Sequence, residues 1–380
     1  MRSALGSAIA ATATAAALIF DAASAQTWSK CNPINAQCPA DTALGMTVNV
    51  DFRNGGVNSF FATGTPSYHA GGVNFTVTSS GDAPQLNSLF YIMFGRVDIT
   101  MTAAHGAGIV SSLVLESDTL DEIDIEWLGA NPDEIQSNYF GKGRTTTYNR
   151  GQFHSVKGTQ DRLIKYTVDW TKDRIVWIAD GQAVRTLAKE DAEADQYPQT
   201  PMKVKFGSWA GGDVNRNPQG TVDWARGPTD YSRGPFHMLV QSVVVTDYST
   251  GKEYRYKDQT GKWEAIEAVG GSVNSNVDGK NALTITAVAS ARPAATAGFL
   301  PVPVGGIGRD ESAATRTQTG WPWVGGANPT GGTIPSGWYM RSDGKISRSS
   351  AGPSMLQSLS VLTATLLPLA AGVLTFLHRS

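Results

Sequence analysis

The chain has 380 residues, with 31 Lys and Arg against 33 Asp and Glu, 41 Gly and only 2 Cys. The near-neutral balance leaves no positive field for a nucleic-acid polyanion, and two cysteines supply neither a Cys₄ zinc site nor a dense disulfide scaffold. Charged residues make up 17% of the chain, against about 25% in an average soluble protein, and glycine exceeds its usual ~7%, a balance that suits a turn-rich all-β protein resting on a hydrophobic core.

The N-terminus carries the three parts of a secretory signal over residues 1–25: Met1 and Arg2, an apolar Ala-rich run to Phe20, and the small-residue end Ala23-Ser24-Ala25. Export places Cys31 and Cys38 in an oxidising compartment, so a small disulfide loop is expected just past the cleavage point. Asn74-Phe75-Thr76 is an N-glycosylation sequon.

From about residue 46 to 265, apolar and polar residues alternate in short runs separated by Gly, Asn and Pro. Strands are predicted at 46–52, 74–78, 96–102, 109–115, 123–128, 166–170, 175–179, 204–206 and 238–247. Asp180-Gly181 marks a hairpin turn of the kind that demands positive φ. Residues 188–196 are expected to form a short helix, and Trp170 and Trp177 fall at core positions of their strands. So many strands in one stretch predict a single β-sandwich domain over 26–265.

Beyond it, residues 266–350 turn to Gly, Ala, Ser, Thr and Pro with little periodicity, the texture of an extended stalk, although Trp321-Pro322-Trp323 and Trp338-Tyr339 are unusual in a linker. The apolar stretch 359–377 sits behind Ser349, Ser350, Ala351 and Gly352, the order of a GPI-attachment signal. Attachment is expected at Ser350, with 351–380 removed. Only a lipid anchor would then hold the protein, at the plasma membrane and in the cell wall.

Residues 121–129 read Asp-Glu-Ile-Asp-Ile-Glu-Trp-Leu-Gly. On a strand, Glu122, Asp124 and Glu126 share one face while Ile123, Ile125 and Trp127 share the other. The outer two Cα atoms lie roughly 13 Å apart, and carboxyls leaning inward approach the ~5–5.5 Å used by retaining glycosidases. Asp124 between them raises the proton affinity of its neighbours, so that one glutamate stays ionised and the other protonated. A solvated acidic face of a surface strand has the same alternation, but like charges stacked on one face cost energy. The 5 histidines are scattered without ligand spacing, so no metal or cofactor is implied.

Together with Phe94-Gly95-Arg96-Val97, Gly108-Ile109-Val110-Ser111-Ser112 and Asn138-Tyr139-Phe140-Gly141-Lys142-Gly143, this acidic run resembles glycoside hydrolase family 16. The uninterrupted spacing of the three acids, the following Trp127, and Tyr166-Thr167-Val168-Asp169-Trp170 with Trp177 resemble its fungal Crh branch. The resemblance implies a concanavalin-like β-jelly-roll with a concave substrate cleft. It further implies a monomer that cleaves chitin, a β-1,4-GlcNAc polymer, and transfers it to β-glucan or chitin acceptors in the fungal wall. By matching position, Glu122 is the nucleophile, Glu126 the acid/base, and Asp124 the residue that orients and tunes Glu122. Tyr139, Lys142, Trp209, Trp224 and Tyr231 become substrate-binding candidates. Leu163-Ile164-Lys165-Tyr166 stands where family members often show Phe-His-x-Tyr, a departure that bears on substrate contacts there. The sequence does not separate transfer from plain hydrolysis, and a non-catalytic wall scaffold is the third reading.

Overall fold

In the computed structural model the described residues are 29–145 and 149–289, with the backbone of three short strands at Gly305–Ile307, Trp338–Met340 and Ile346–Arg348. The signal segment, Trp321 to Trp323 and the region of Ser350 lie outside the described residues. In chain order the strands are β1 (Asp41–Thr42), β2 (Thr47–Asp51), β3 (Phe60–Thr63), β4 (Ser67–His69), β5 (Gly72–Val77), β6 (Gln85–Ser88) and β7 (Gly95–Thr102). There follow β8 (Ile109–Ser117), β9 (Glu122–Leu128), β10 (Glu134–Phe140), β11 (Gln152–Ser155), β12 (Ile164–Trp170), β13 (Arg174–Ala179) and β14 (Gln182–Ala188). Next come β15 (Met202–Ala210), β16 (Phe236–Asp247), β17 (Glu253–Tyr256), β18 (Ile266–Val269), β19 (Thr284–Ala289) and β20 (Gly305–Ile307), before the two-stranded pair Trp338–Met340 and Ile346–Arg348.

Two large sheets result. One has seven strands in the order β11-β10-β9-β8-β15-β6-β3, and the other runs β14-β13-β12-β7-β16-β2-β19-β20, with β5 also on β16 and β4 on β5. The core lies where their apolar faces meet. On β7, Val97, Ile99 and Met101 are buried between more polar neighbours, the period of two that a half-buried strand requires. On β16 the inward set begins as Phe236, Met238 and Val240, and a bulge before Ser242 moves it to Val243 and Val245. One inserted residue exchanges which parity faces inward. Phe206 packs edge-on at 5.4 Å from Phe60 and 5.8 Å from Phe75, each ring contributing about 1.5–3 kcal/mol by leaving water.

Two ties set β9 against the second sheet. Trp177 Nε1 on β13 donates to the Asp124 carbonyl on β9 at 3.0 Å, and Trp127 meets Tyr166 edge-on at 4.7 Å. Trp170 and Trp177 are both fully buried, as expected. The disulfide Cys31–Cys38 is formed, with its Cα atoms 5.8 Å apart.

Two sequence expectations are corrected. The domain does not end at 265: β18 pairs with β17, and β19 pairs in parallel with β2, burying Ile266, Ala268, Ile285 and Ala287. Their Ala- and Thr-rich composition hides an ordinary inward alternation. The short helix expected at 188–196 is a single 3₁₀ turn, Lys189–Asp191, because the flanking Ala188 and Ala192 are extended.

Candidate active site

Strand β9 is held on both sides. Glu122 stands opposite Glu116 on β8 and Phe140 on β10, Asp124 opposite Val114 and Asn138, and Glu126 opposite Ser112 and Gln136. Directly opposed residues of an antiparallel pair share a face, so these side chains enclose the acids. Glu122, Asp124 and Glu126 are only 4%, 2% and 8% exposed, and Ile123, Ile125 and Trp127 fill the core behind them. This is not the solvated acidic face of a surface strand.

Burial disfavours the charged form of all three. It lifts Glu122 to about 7, against which a hydrogen bond with Asp124 and the Lys205 ammonium pull down and Glu116 pushes up. Burial and the Glu122 charge lift Glu126 to about 8. Asp124 is raised well above its usual range, by burial and then by the charges of the glutamates on either side. Of the three, Glu122 has the hydrogen bond from Asp124 and the Lys205 ammonium drawing it back toward its charged form. Asp124 and Glu122 are hydrogen-bonded to each other, and burial favours the protonated form of Glu126. Glu122 Oε2 and Asp124 Oδ1 are buried without a hydrogen-bond partner.

Sequence reasoning missed Glu116 and Lys205, whose ion pair lies on this face: Lys205 Nζ donates to the Glu116 carboxylate, and Lys205 stands opposite Val114, which stands opposite Asp124. The signal lay in the alternation of residues 112, 114 and 116, which acquires meaning only when β8 is laid beside β9. A groove continues from Glu126 across the neighbouring strands, lined by Ser112, Gly207, Gln85, Lys205, Trp209 and Asn217. Its floor needs glycine at 207, where a Cβ would stand 2.3 Å from the Pro84 carbonyl.

Trp209 faces the same side as the acids, opposite Val110, which in turn opposes Leu128. It stacks on Trp224, from the helix α1 (Gln219–Trp224), at 6.1 Å and 24°. Trp224 Nε1 donates to Gln136 Oε1 at 3.0 Å, which brings the pair to the flank of Glu126.

The other candidates differ. Tyr139 opposes Ile123, so it points between the sheets and is buried, its ring 5.4 Å from the Arg185 guanidinium. The alternation that sends Phe140 to the acid face sends Tyr139 away from it. Lys142 Nζ lies 2.6 Å from both oxygens of the buried Asp121, which also accepts from Gln199 N and Thr200 Oγ1. That lysine compensates a buried charge. Tyr231 sits beside Asp213, which with burial raises its hydroxyl, and Asp213 ties the 80–81 loop by accepting from Ser80 Oγ at 2.6 Å and Gly81 N at 3.1 Å. Asn74, on the outer face of β5 opposite Leu239, is partly exposed. Among the described residues, no group of three or more His, Cys, Asp or Glu is arranged to hold a metal ion, and no helix is long and apolar enough to cross a membrane.

Comparison with known proteins follows the same lines. The family described as glycosyl hydrolases family 16 matches residues 54–226. Crh-like protein 4 of Botryotinia fuckeliana is 51% identical over 359 residues, 92% of this chain and 93% of that protein. Crh-like protein 4 of Aspergillus fumigatus is 47% identical over 340 residues, 87% of this chain and 74% of the relative. A solved structure described as Crh5 transglycosylase in complex with NAG superposes with a TM-score of 0.62 at 45% identity, covering 63% of this chain and all of the other.

Proposed function

This chain belongs to the Crh-like proteins of glycosyl hydrolase family 16, as an all-β jelly-roll and a cell-wall transglycosylase, and we propose that it moves chitin chains onto β-glucan or chitin acceptors by retaining double displacement. Glu126 gives its proton to the departing glycosidic oxygen while the Glu122 carboxylate attacks the anomeric carbon, forming a glycosyl ester. The Asp124 O–H holds Glu122 in the attacking position. Glu126, now a carboxylate, then takes the proton of an acceptor hydroxyl as that oxygen displaces Glu122, restoring every group. The supporting observation is the single buried row of three acids on one face of β9, with Glu122 Oε2 and Asp124 Oδ1 left without a hydrogen-bond partner.

Substituting Glu122→Gln or Glu126→Gln is expected to lower transfer by roughly a thousandfold or more. The assay incubates labelled chito-oligosaccharide with unlabelled β-glucan oligosaccharide and weighs the products. Hybrid masses support transfer, shortened chitin alone means hydrolysis, and no change in the wild-type mixture means a scaffold. Residues 1–25 as export signal and Ser350 as GPI attachment point put the enzyme at the cell surface. Phospholipase C should release it from membranes, and retention would overturn the anchor.

A further inference from the structure

The row that contains Glu126 does not stop at Gln136. On β11, Phe153 stands opposite Gln136, so its ring lies on the acid face, two strand spacings or roughly 10 Å from Glu126 along the backbone rows. Phe153 is 46% exposed; among the described residues the exposed large apolar side chains are Phe153, Leu163, Val214 and Val277, and only Phe153 carries a ring. An apolar ring left in water forgoes about 1.5–3 kcal/mol of burial, which suits a ring kept for a partner.

The ring is also braced. The Arg226 guanidinium lies 5.3 Å from its centroid, and Arg226 Nη2 donates to Glu134 Oε1 at 2.5 Å. Arg226 reaches this position with φ at 57°, a conformation a non-glycine residue adopts at a cost. Because Glu134 neutralises Arg226, the platform presents no net charge. Trp224, two residues before Arg226, bonds Gln136 and stacks on Trp209. A shelf of rings thus runs from β15 to β11 past the acids.

The two directions from Glu126 differ in character. Toward β15 the row enters the lined groove of Ser112, Gly207 and Gln85; toward β11 it opens at the sheet edge. In the second half-reaction the donor chain is covalently held, whereas the acceptor must arrive from solvent where the leaving chain has gone. We propose that Phe153, braced by Arg226 and Glu134, is the binding platform for the acceptor, a neutral β-linked hexopyranose chain whose C–H face stacks on the open ring. The assignment deepens the transglycosylase reading and rests on it.

The test uses a chito-oligosaccharide donor with a small aryl leaving group that does not extend to β11, and β-glucan oligosaccharide as acceptor. In Phe153→Ala the acceptor concentration for half-maximal transfer should rise about tenfold, the scale of one good aromatic contact. More donor should be lost to water, with release of the aryl group in the absence of acceptor unchanged. Phe153→Trp should restore acceptor use. Unchanged acceptor dependence in Phe153→Ala overturns the platform, provided Glu122→Gln is inactive; an active Glu122→Gln overturns the mechanism instead. The platform is then judged by titrating Glu122→Gln and Glu122→Gln/Phe153→Ala with the same oligosaccharide, where equal affinity rejects it and about tenfold weaker binding supports it.

Discussion

Two buried carboxylate sites can be set side by side: Asp247 at the end of β16, and the row on β9. Burial lifts Asp247 to about 7, as it lifts Glu122. Yet Asp247 is surrounded by donors: Gly45 N at 2.9 Å and Tyr254 Oη at 2.5 Å on one oxygen, Met93 N at 3.1 Å and Ser249 N at 3.0 Å on the other. On β9, Glu122 Oε2 and Asp124 Oδ1 have no partner. Asp247 spends its lone pairs on the fold, while the acids proposed to do the chemistry leave two oxygens unpaired. A shifted proton affinity alone does not tell these two sites apart; their hydrogen-bond partners differ.

The contrast breaks first at the level of activity. Glu122→Gln should lose transfer roughly a thousandfold, while Asp247→Asn should leave kcat of the folded enzyme near wild type. The free energies should separate next. Asp247→Ala strands four donors and should destabilise by about 3–5 kcal/mol in urea unfolding, and a loss below 1 kcal/mol would mean the network is ornamental.

Glu126→Gln should do the reverse. A carboxyl whose folded value is raised binds its proton more tightly folded than unfolded, so its contribution is greatest below the unfolded value near 4.5 and is lost as pH climbs to about 8. Removing it should stabilise the protein on the order of 1–2 kcal/mol at pH 8 and hardly at all at pH 4. Melting temperatures at the two pH values decide it. The smallest effect concerns Lys205. The acidic limb of kcat/KM follows Glu122 and the alkaline limb Glu126, so Lys205→Met should move the acidic limb up by roughly half a pH unit. Lys205→Met/Glu116→Gln, which removes the opposing neighbour as well, should move it back, and a limb unmoved in the single variant would remove the pair from the chemistry.

The acidic row was readable because its signal is local: alternation assigns Glu122, Asp124 and Glu126 to one face whatever lies beside them. What surrounds the row was not. Lys205 and Glu116 lie 89 positions apart, and Lys142 and Asp121 are 21 apart, so neither ion pair leaves a mark in a short window. Tyr139 and Phe140 look alike as a motif, and only the register of β10 against β9 tells which one turns to the acids. The end of the domain escaped because β19 is built of Thr, Ile, Ala and Val in a stretch whose composition resembles a linker. Phe153 gave no sequence signal, since an exposed aromatic on an edge strand reads as an ordinary core residue.

The indole of Trp177 reaches across the sandwich to hold the backbone of Asp124. The bond fastens the main chain of β9 to the sheet behind it, leaving the loops and edge strands that line the cleft out of its support. Those borders can therefore be altered while the acids stay where they are. A designer wishing to change the polymer should recarve β11 or the walls near Asn217 and leave Trp177 untouched.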